Sequence, residues 1–404
     1  MSERDETRIH VNELRIGMRV TGFETLDKRS PFLLDVVDIR TQADIQAIQK
    51  VCDYVFIDVK LQKKQHGYIP TRATDAKTQL SFARAFDQTA TTFQQTGSLI
   101  KTVLDDIRFG NPFSVEQVKA AVENTVNAVL AQSDAMLLLT QLKQEDEYTA
   151  QHSMNVCVMA ILLGRELGLP IAELRDLGVC GLMHDVGKMK VPLHILNKPG
   201  RLDEQELVIM RNHPVLGRNI LMSARNLYPG AVDVAYCHHE RLAGGGYPRG
   251  LEGATLSKYT RIVTVVDTYD AVTSDRIYKK GIPHLKALGI LVDGMKKEYD
   301  SSYVTEFINC IGFYPQGNLA ELSSGEVALV VEQNRNDRLK PKLLILLNER
   351  LEPCERKILD LAAKPLDQRG QPYRIKQIVR AQEHGIDLIA LQQQGVFTQS
   401  YPSI

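Results

Sequence analysis

The sequence predicts a mainly α-helical protein, with a central helical domain between a small N-terminal α/β or β-rich domain and a short C-terminal β appendage. Three observations indicate this order. Apolar and polar residues alternate near the N-terminus, apolar residues recur at helical spacing from about 113 to 315, and two strand-like runs follow Gly312. A chain of 404 residues is long enough for two or three domains.

Composition narrows the class of protein. Hydrophobic residues make up 44% of the chain and charged residues 24%, as in ordinary globular proteins. The formal net charge of zero gives no indication of bulk binding to DNA or to an anionic membrane. No apolar run approaches the roughly 20 residues of a membrane span, and the polar N-terminus does not resemble a signal peptide. The six cysteines form no CxxC pair, which favours reduced thiols. We therefore expect a cytoplasmic protein with neither DNA nor membrane as a partner.

Residues 1–70 predict a small N-terminal regulatory domain. The first strand is predicted from alternating apolar and polar residues, and the last strand from a short apolar run. A helix that begins at Thr41 is predicted between them. The residues concerned are Leu14, Ile16, Met18 and Val20 for the first strand, 32–37 for a second apolar run, and 54–57 for the last strand. Residues 71–112 predict a helical linker, either one helix or a pair, that ends at Pro112.

The central helical domain is predicted at 113–315 and a β appendage with a C-terminal tail at 316–404. Ser114 is a predicted N-cap because Gln117 follows at the capping-box spacing. In the appendage, runs at 325–331 and 343–347 predict two strands, joined by a turn at 334–337. Beyond 354 the apolar residues are sparse, and we expect no more than partial helix.

Histidines and aspartates are concentrated in one part of the central domain. Six of the ten histidines fall between His152 and His239, and His184 is followed directly by an aspartate. Scattered histidines are usually solvated or structural, but a cluster interleaved with acidic residues on apolar helices favours a metal site. The cluster comprises His152, His184, Asp185, His213, His238, His239 and Asp267.

Such a cluster predicts hydrolytic chemistry. Two divalent metals held by His and Asp activate water and clamp a phosphate for displacement. Because a carboxylate can bridge two metals and an imidazole ordinarily does not, Asp185 is the candidate bridge. Lys188, three residues later, is a compact positive charge suited to the same phosphate; the alternative is a solvated surface lysine. Asp267 and Asp270 are three residues apart and share a helix face.

Longer blocks of sequence carry a resemblance to a known family. The blocks are Tyr148-Thr-Ala-Gln-His152-Ser-Met-Asn-Val, His184-Asp-Val-Gly-Lys188, His238-His-Glu-Arg, Gly246-Tyr-Pro248 and the segment from Val266 to Lys279. Residues 140–315, which contain them, closely resemble the HD-GYP family within the HD phosphohydrolase superfamily. That family comprises bacterial phosphodiesterases that hydrolyse cyclic di-GMP. The resemblance implies an all-helical HD-type domain, and residues 8–60 resemble the small domain of unknown function that often precedes it.

The resemblance implies roles for individual residues. Two divalent transition metals per chain are expected, Fe or Mn first, with Ni and Zn as alternatives, because Tyr148 replaces the glutamate that supports a third metal in some members. The implied ligands are His152, His184, Asp185, His213, His238, His239 and Asp267; the implied catalytic residues are Asp185 and Lys188. The implied substrate contacts are Lys188, Tyr247, Asp270, Arg276 and Lys279.

The expected activity is hydrolysis of cyclic di-GMP to the linear pGpG, with GMP as a further product. Two alternatives stay open: an HD hydrolase of another nucleotide, and a receptor or partner-binding module without turnover. The second is kept because Ala243 replaces an aspartate of the family's glycine-rich loop. A protein partner at this loop or at the N-terminal domain, and a homodimer, are further expectations.

Overall fold

The computed structural model has the predicted order of a β-containing N-terminal domain, a helical centre and a C-terminal sheet. It describes residues 6–11, 14, 18–23, 37–39, 41–49, 54–58, 76–142, 148–275, 280–334, 337–397, 399 and 401–402. Among these residues, no helix is both long enough and apolar enough to span a bilayer.

In the part of the N-terminal domain that the structure describes, four antiparallel strands form a sheet, together with one helix. Its strands lie in the order β1-β4-β2-β3. Thr41 and Asp44 exchange side-chain-to-backbone hydrogen bonds of 3.2 and 2.7 Å, which cap the helix where the sequence predicted its start. A separate small core includes Val20, Ile45 and Val55. The elements are β1 (Glu6–His10), β2 (Arg19–Phe23), β3 (Val37–Asp38), α1 (Gln42–Gln49) and β4 (Tyr54–Asp58).

The strands of this domain differ from the prediction in two places. The alternating run was predicted as a strand from Leu14, but β2 begins at Arg19, and Leu14 is buried outside any strand. Strand β1 was not predicted, because its sequence lacks apolar alternation; it is held by backbone pairing with β4. Strand β4 is confirmed. Of the second apolar run, only Val37 belongs to the described residues, and it begins β3.

Helices form the centre of the molecule, as predicted. They pack around one large hydrophobic core. The helices are α2 (Ala76–Phe109), α3 (Val115–Ala131), α4 (Ser133–Gln141), α5 (Tyr148–Glu166), α6 (Ile171–Met183), α7 (Leu193–Leu196), α8 (Glu204–Arg211), α9 (His213–Met222), α10 (Pro229–Cys237), α11 (Lys258–Thr273), α12 (His284–Asp293) and α13 (Ser301–Ile311).

The segment expected to be a linker contributes to this core. It contains one 34-residue helix, α2, and not a pair. Its buried side chains, such as Val103 and Ile107, belong to the same core as those of the later helices. After the break at 110–114, Ser114 caps α3 by accepting a 3.2 Å hydrogen bond from the Gln117 amide, as predicted.

The C-terminal region is a five-stranded antiparallel sheet in the order β8-β7-β6-β5-β9. The two predicted strands are confirmed as β6 and β7. Both faces of the sheet are covered: Leu329 belongs to the main helical core and its neighbour Val330 to a second core on the other face. The elements are β5 (Leu319–Leu322), β6 (Val327–Glu332), β7 (Lys342–Leu347), β8 (Ile358–Asp360), β9 (Ile375–Val379) and α14 (Leu388–Gln393).

The expectation for the tail beyond 354 was wrong. It supplies the two outer strands, β8 and β9, as well as the short helix α14. Strand β9 alternates only weakly and has a single fully buried residue, Ile378. Its strand conformation comes from pairing with β5, a long-range contact that local periodicity does not reveal.

Acid should destabilise the fold through His284, which is buried and hydrogen-bonded to Tyr269 and Gly312. Its Nδ1 accepts from the Tyr269 hydroxyl (2.7 Å) and its Nε2–H donates to the Gly312 carbonyl (2.9 Å). Burial lowers the pKa of His284 to about 4. The unfolded chain takes up this proton below about pH 6.5 and the folded chain does not, so between pH 6.5 and 4 the free energy of unfolding should fall by roughly 3 kcal/mol.

Urea unfolding at pH 7 and pH 4.5 tests this expectation. The variant His284→Gln cannot titrate and should lose less stability between the two pH values than the wild-type protein. Equal losses would show that His284 does not govern the acid response.

Candidate metal centre

Five helices bring the predicted histidine and aspartate cluster together. Most of its members lie at helix ends: His184 follows α6, His213 begins α9, and the pair at 238–239 follows α10. His152 and Asp267 lie within α5 and α11. Helix ends are suited to this purpose because several side chains can converge there without the helices overlapping.

Asp185 lies at the middle of the cluster and is 1% exposed. Its Oδ2 is 3.4 Å from the Nε2 atoms of both His152 and His184. Its Oδ1 is 3.2 Å from His213 Nε2 and 3.6 Å from His238 Nε2. The two carboxylate oxygens therefore face two different groups of imidazoles, which is the geometry that a bridging carboxylate requires.

Backbone hydrogen bonds orient three of these imidazoles. In each, Nδ1 lies within hydrogen-bond distance of a carbonyl oxygen three residues earlier, so Nδ1 carries the proton and Nε2 presents its lone pair to the cluster. These bonds join His184 to the Gly181 carbonyl (2.7 Å), His213 to the Met210 carbonyl (2.8 Å) and His238 to the Ala235 carbonyl (3.1 Å).

His152 is oriented by a carboxylate. Its Nδ1 lies 2.7 Å from Asp270 Oδ2, and its Nε2 lies 3.1 Å from Asp267 Oδ1. Asp270 also accepts from Asn155 (3.0 Å) and Ser274 (3.2 Å) and is 1% exposed. Asp267 and Asp270 do share a helix face, as predicted. The carboxylate of Asp270 is buried against His152, Asn155 and Ser274, and its predicted substrate contact stays a prediction.

The residues fit a metal centre. His184 Nε2 and Asp185 Oδ1 are fully buried and find no hydrogen-bond partner in suitable geometry among the residues that the structure describes, which is costly unless a ligand satisfies them. Within the described residues, three groups have ligand atoms that all lie within 4.8 Å of one another. They are Asp185 with His213, His238 and His239; His152 with His184 and Asp185; and His184 with His238 and Asp267.

Burial and charge oppose each other at these groups. Burial lowers the pKa of His184, yet the carboxylates of Asp185 and Asp267 raise it to about 9, so a metal that binds Nε2 would displace a proton from this ring. Burial holds the pKa of His238 and of His239 below the usual value, which favours the neutral form that binds metals. Burial also disfavours the charge of Asp185, but Lys188 and the neighbouring imidazoles keep its pKa well below the usual range. The Asp185 carboxylate is therefore ionised, and its negative charge favours the binding of a cation.

The turn that follows Asp185 brings the Lys188 ammonium to the Asp185 carboxylate. The 3₁₀ turn Val186–Lys190 directs the Lys188 ammonium onto Asp185 Oδ2, as an ion pair at the cluster. Gly187 lies against α9, where an added Cβ would be 1.9 Å from the His213 carbonyl oxygen and 2.5 Å from the Gly217 amide nitrogen. The sequence predicted Gly187 only as a helix terminator, but its lack of a side chain also sets how closely α9 approaches and hence where His213 lies.

The glycine-rich loop covers one side of the cluster. The Tyr247 ring stacks on His239 with centroids 4.7 Å apart, and the Arg211 guanidinium lies 5.4 Å from the Tyr247 centroid. Glu240, 1% exposed, accepts hydrogen bonds from the amides of Arg249 (2.7 Å) and Leu251 (2.9 Å). Glu240 thus fixes the loop that carries Tyr247. This function of Glu240 was not predicted from the sequence, although the residue directly follows the histidine pair.

Three predictions fall outside what the structure describes. Arg276 and Lys279 belong to 276–279, which are not among the described residues. The side chain of Tyr148 is likewise not described, although its backbone begins α5. Their predicted roles stay predictions.

The helical fold and the convergent His and Asp side chains define a metal-dependent hydrolase of the HD type. In agreement, the family model described as HD domain matches residues 133–303. The model described as a domain of unknown function (DUF3391) matches residues 6–118, so it extends through α2 into α3. The chain is 33% identical over 372 residues to cyclic di-GMP phosphodiesterase PA4108 of Pseudomonas aeruginosa, covering 88% of each protein.

Other relatives match a smaller part of the chain. The 3'3'-cGAMP-specific phosphodiesterase 3 of Vibrio cholerae is 38% identical over 153 residues, which cover 38% of this chain and 33% of that protein. The cyclic di-GMP phosphodiesterase response regulator RpfG of Xanthomonas campestris is 37% identical over 145 residues, covering 35% of this chain and 38% of that protein. The chain belongs to the HD-GYP family of HD-domain phosphodiesterases.

Proposed function

We propose that this protein hydrolyses cyclic di-GMP to pGpG, with GMP as a further product, at a centre of two divalent transition metals. One observation carries the proposal: the two oxygens of the buried Asp185 face separate groups of imidazoles whose Nε2 atoms converge on it. The relative that matches 88% of this chain is named a cyclic di-GMP phosphodiesterase, which supports the substrate.

The ligands divide into two groups that share Asp185. One metal would be held by His213, His238 and His239 with Asp185 Oδ1, and the other by His152, His184 and Asp267 with Asp185 Oδ2. When bound, such metals supply Lewis-acid activation of water and neutralise charge on the phosphate. The imidazole-rich ligand set suits Fe, Mn, Ni or Zn. We propose that both metals are Fe or Mn, with Ni and Zn as alternatives.

The protein's own groups orient the reactants. Asp270 holds the His152 ring through Nδ1 and so aims Nε2 at the centre. Tyr247 is packed flat on His239 and presents an apolar wall beside the centre. We propose that Arg276 and Lys279 contact the guanine and phosphate groups; a planar guanidinium suits two-pronged contact to either.

Lys188 should act on the substrate and not on metal retention. Its ammonium forms an ion pair with Asp185 Oδ2. A phosphate bound at the centre would therefore have a positively charged group beside it. Removing one such electrostatic group should lower kcat about 100-fold. In Lys188→Met we expect this loss with unchanged metal content, both measured on the same purified sample.

Lys190→Met is the matched control, because Lys190 lies in the same 3₁₀ turn and is exposed. It should retain wild-type activity. Loss of metal from Lys188→Met would instead mean that Lys188 maintains the Asp185 carboxylate.

Turnover of cyclic di-GMP by protein purified anaerobically tests the proposed function. Metals are quantified on the same sample and products are separated by chromatography. We expect pGpG and about two metals per chain. Metal-replete protein that binds cyclic di-GMP without forming product would contradict the proposal and support the receptor alternative.

The related cyclic dinucleotide 3'3'-cGAMP is the second candidate substrate. Its support is that three Vibrio cholerae relatives named as 3'3'-cGAMP-specific phosphodiesterases are 35–38% identical to parts of this chain. Each of them aligns over at most 41% of this chain, so they are weaker support than the relative that matches 88%. Competition between equimolar cyclic di-GMP and 3'3'-cGAMP decides between the two, and we expect the former to be consumed first.

A further inference from the structure

Arg211 is a cation beside the metal centre to which the proposed function gives no role. It is the last residue of α8 and precedes the candidate ligand His213 by two positions. Its guanidinium lies over the Tyr247 ring, 5.4 Å from the ring centroid, and that ring stacks on the candidate ligand His239. Two side-chain contacts therefore connect the charge of Arg211 to the centre.

The backbone around Arg211 is fixed at both ends of α8. The carbonyl oxygen of the preceding residue, Met210, accepts the 2.8 Å hydrogen bond from His213 Nδ1. At the start of α8, Asp203 and Glu206 form a capping box. The exposed side chain of Arg211 thus extends from a helix whose end also orients a candidate ligand.

The charge of Arg211 has no carboxylate partner, unlike that of the neighbouring cations. Lys188 is paired with Asp185, and Arg241, whose charge also acts on Tyr247, is paired with a glutamate at 3.6 Å. For Arg211, the residues that the structure describes supply no carboxylate at ion-pair distance. Its guanidinium can therefore take an anionic group of a ligand as its partner.

The proposed substrate carries two phosphates, and the metals would hold one of them. In a cyclic dinucleotide the two phosphates are joined through one ribose on either side, so the second stays near the centre when the first is at the metals. A planar guanidinium donates two parallel hydrogen bonds to the oxygens of such a group. Arg211 lies beside the candidate ligands and is not one of them, which suits the phosphate that is not cleaved.

We propose that Arg211 binds the uncleaved phosphate of the cyclic dinucleotide. The contact is the same before and during cleavage, so it strengthens binding and leaves the chemical step unchanged. Tyr247 holds the guanidinium in place through the cation–π contact. This inference rests on the proposed function, because it takes the cyclic dinucleotide as the ligand and the metals as the site of its other phosphate.

The test compares three ligands in full-length, metal-loaded Arg211→Met protein. Methionine keeps an apolar contact with Tyr247 and removes the charge. We expect Kd to rise about tenfold for cyclic di-GMP and for 3'3'-cGAMP, which both carry two phosphates. It should rise by less than about twofold for linear GpG, which has two guanines but one phosphate. Arg211→Lys keeps a positive charge and should recover part of the affinity.

The dissociation constants are measured by equilibrium dialysis in the Lys188→Met background, where turnover is slow. Arg218→Met is the matched control, because the Arg218 guanidinium also lies over a tyrosine ring, 5.2 Å from the centroid of Tyr236. Arg218 and Tyr236 line a surface groove to which none of the candidate metal ligands contributes. This control should leave all three dissociation constants unchanged.

Turnover gives an independent measure in protein that retains Lys188. Arg211→Met should raise KM for cyclic di-GMP about tenfold, with kcat and metal content within about twofold of wild type. Hydrolysis of bis(p-nitrophenyl) phosphate should be unchanged, since this small diester has one phosphate. A lower metal content would mean that Arg211 acts by placing His213, and it would overturn the proposal.

The ligand comparison separates this inference from the proposed function. An equal rise in Kd for GpG would mean that Arg211 contacts guanine, and no rise for any ligand would mean no contact; either result overturns the proposal. If the wild-type protein forms pGpG while Arg211→Met leaves Kd unchanged, the function stands and the inference fails. If the wild-type protein binds cyclic di-GMP without forming product, the function fails, and the three dissociation constants still decide the role of Arg211. Protein that binds no cyclic dinucleotide would overturn both.

Discussion

Replacement of Asp185 by asparagine is expected to remove metal and to lower turnover to less than about one-thousandth of the wild-type rate. The substitution keeps the shape of the side chain but removes the negative charge that two groups of imidazoles share. An amide also cannot bridge two cations through equivalent anionic oxygens. Metal analysis and cyclic di-GMP turnover on one sample measure both effects.

Asp293→Asn is the matched control, because Asp293 is an exposed aspartate at the end of α12. It should keep wild-type metal content and rate. A folded Asp185→Asn protein with two metals and normal activity would exclude the bridging role.

Gly187→Ala is expected to damage the centre without changing any ligand. An alanine Cβ would lie 1.9 Å from the His213 carbonyl oxygen and 2.5 Å from the Gly217 nitrogen, and both are backbone atoms that cannot rotate away. Helix α9 must therefore move, and His213 with it. We expect a loss of about 3 kcal/mol in the free energy of unfolding and loss of the metal held by His213.

The control is Gly289→Ala in α12, where an added Cβ meets no heavy atom within 4 Å. Alanine is the better helix former there, so stability should be unchanged or increase by about 0.5–1 kcal/mol. Urea unfolding and metal analysis are compared for the two variants. Retained metal in Gly187→Ala would mean that α9 adapts without displacing His213.

The sequence predicted the helical centre well because its signals are local. Helical spacing of apolar residues and the cap at Ser114 both act within a few residues, and α3 begins where the cap predicts. Strands were predicted where a run was continuously apolar, as in β6 and β7. They were missed in β1 and β9, whose conformation depends on a distant partner strand.

The orientation of the imidazoles likewise depends on local contacts for some residues and on long-range contacts for another. His184, His213 and His238 are each oriented by a carbonyl three residues earlier, a contact that the helix end itself provides. His152 is oriented by Asp270, which is 118 residues away. The i, i+3 spacing predicted that Asp270 shares a face with Asp267, but not which of the two carboxylates would meet His152 Nδ1.

The sequence by itself therefore determined the fold class, the family and the set of metal-binding residue types, because periodicity, capping and short motifs are properties of neighbouring residues. The tertiary structure decided which carboxylate faces the centre and which one orients a histidine, why Gly187 has no room for a side chain, and that Arg211 lies over the Tyr247 ring. Each of these depends on the distance between segments far apart in the chain, which is set by packing.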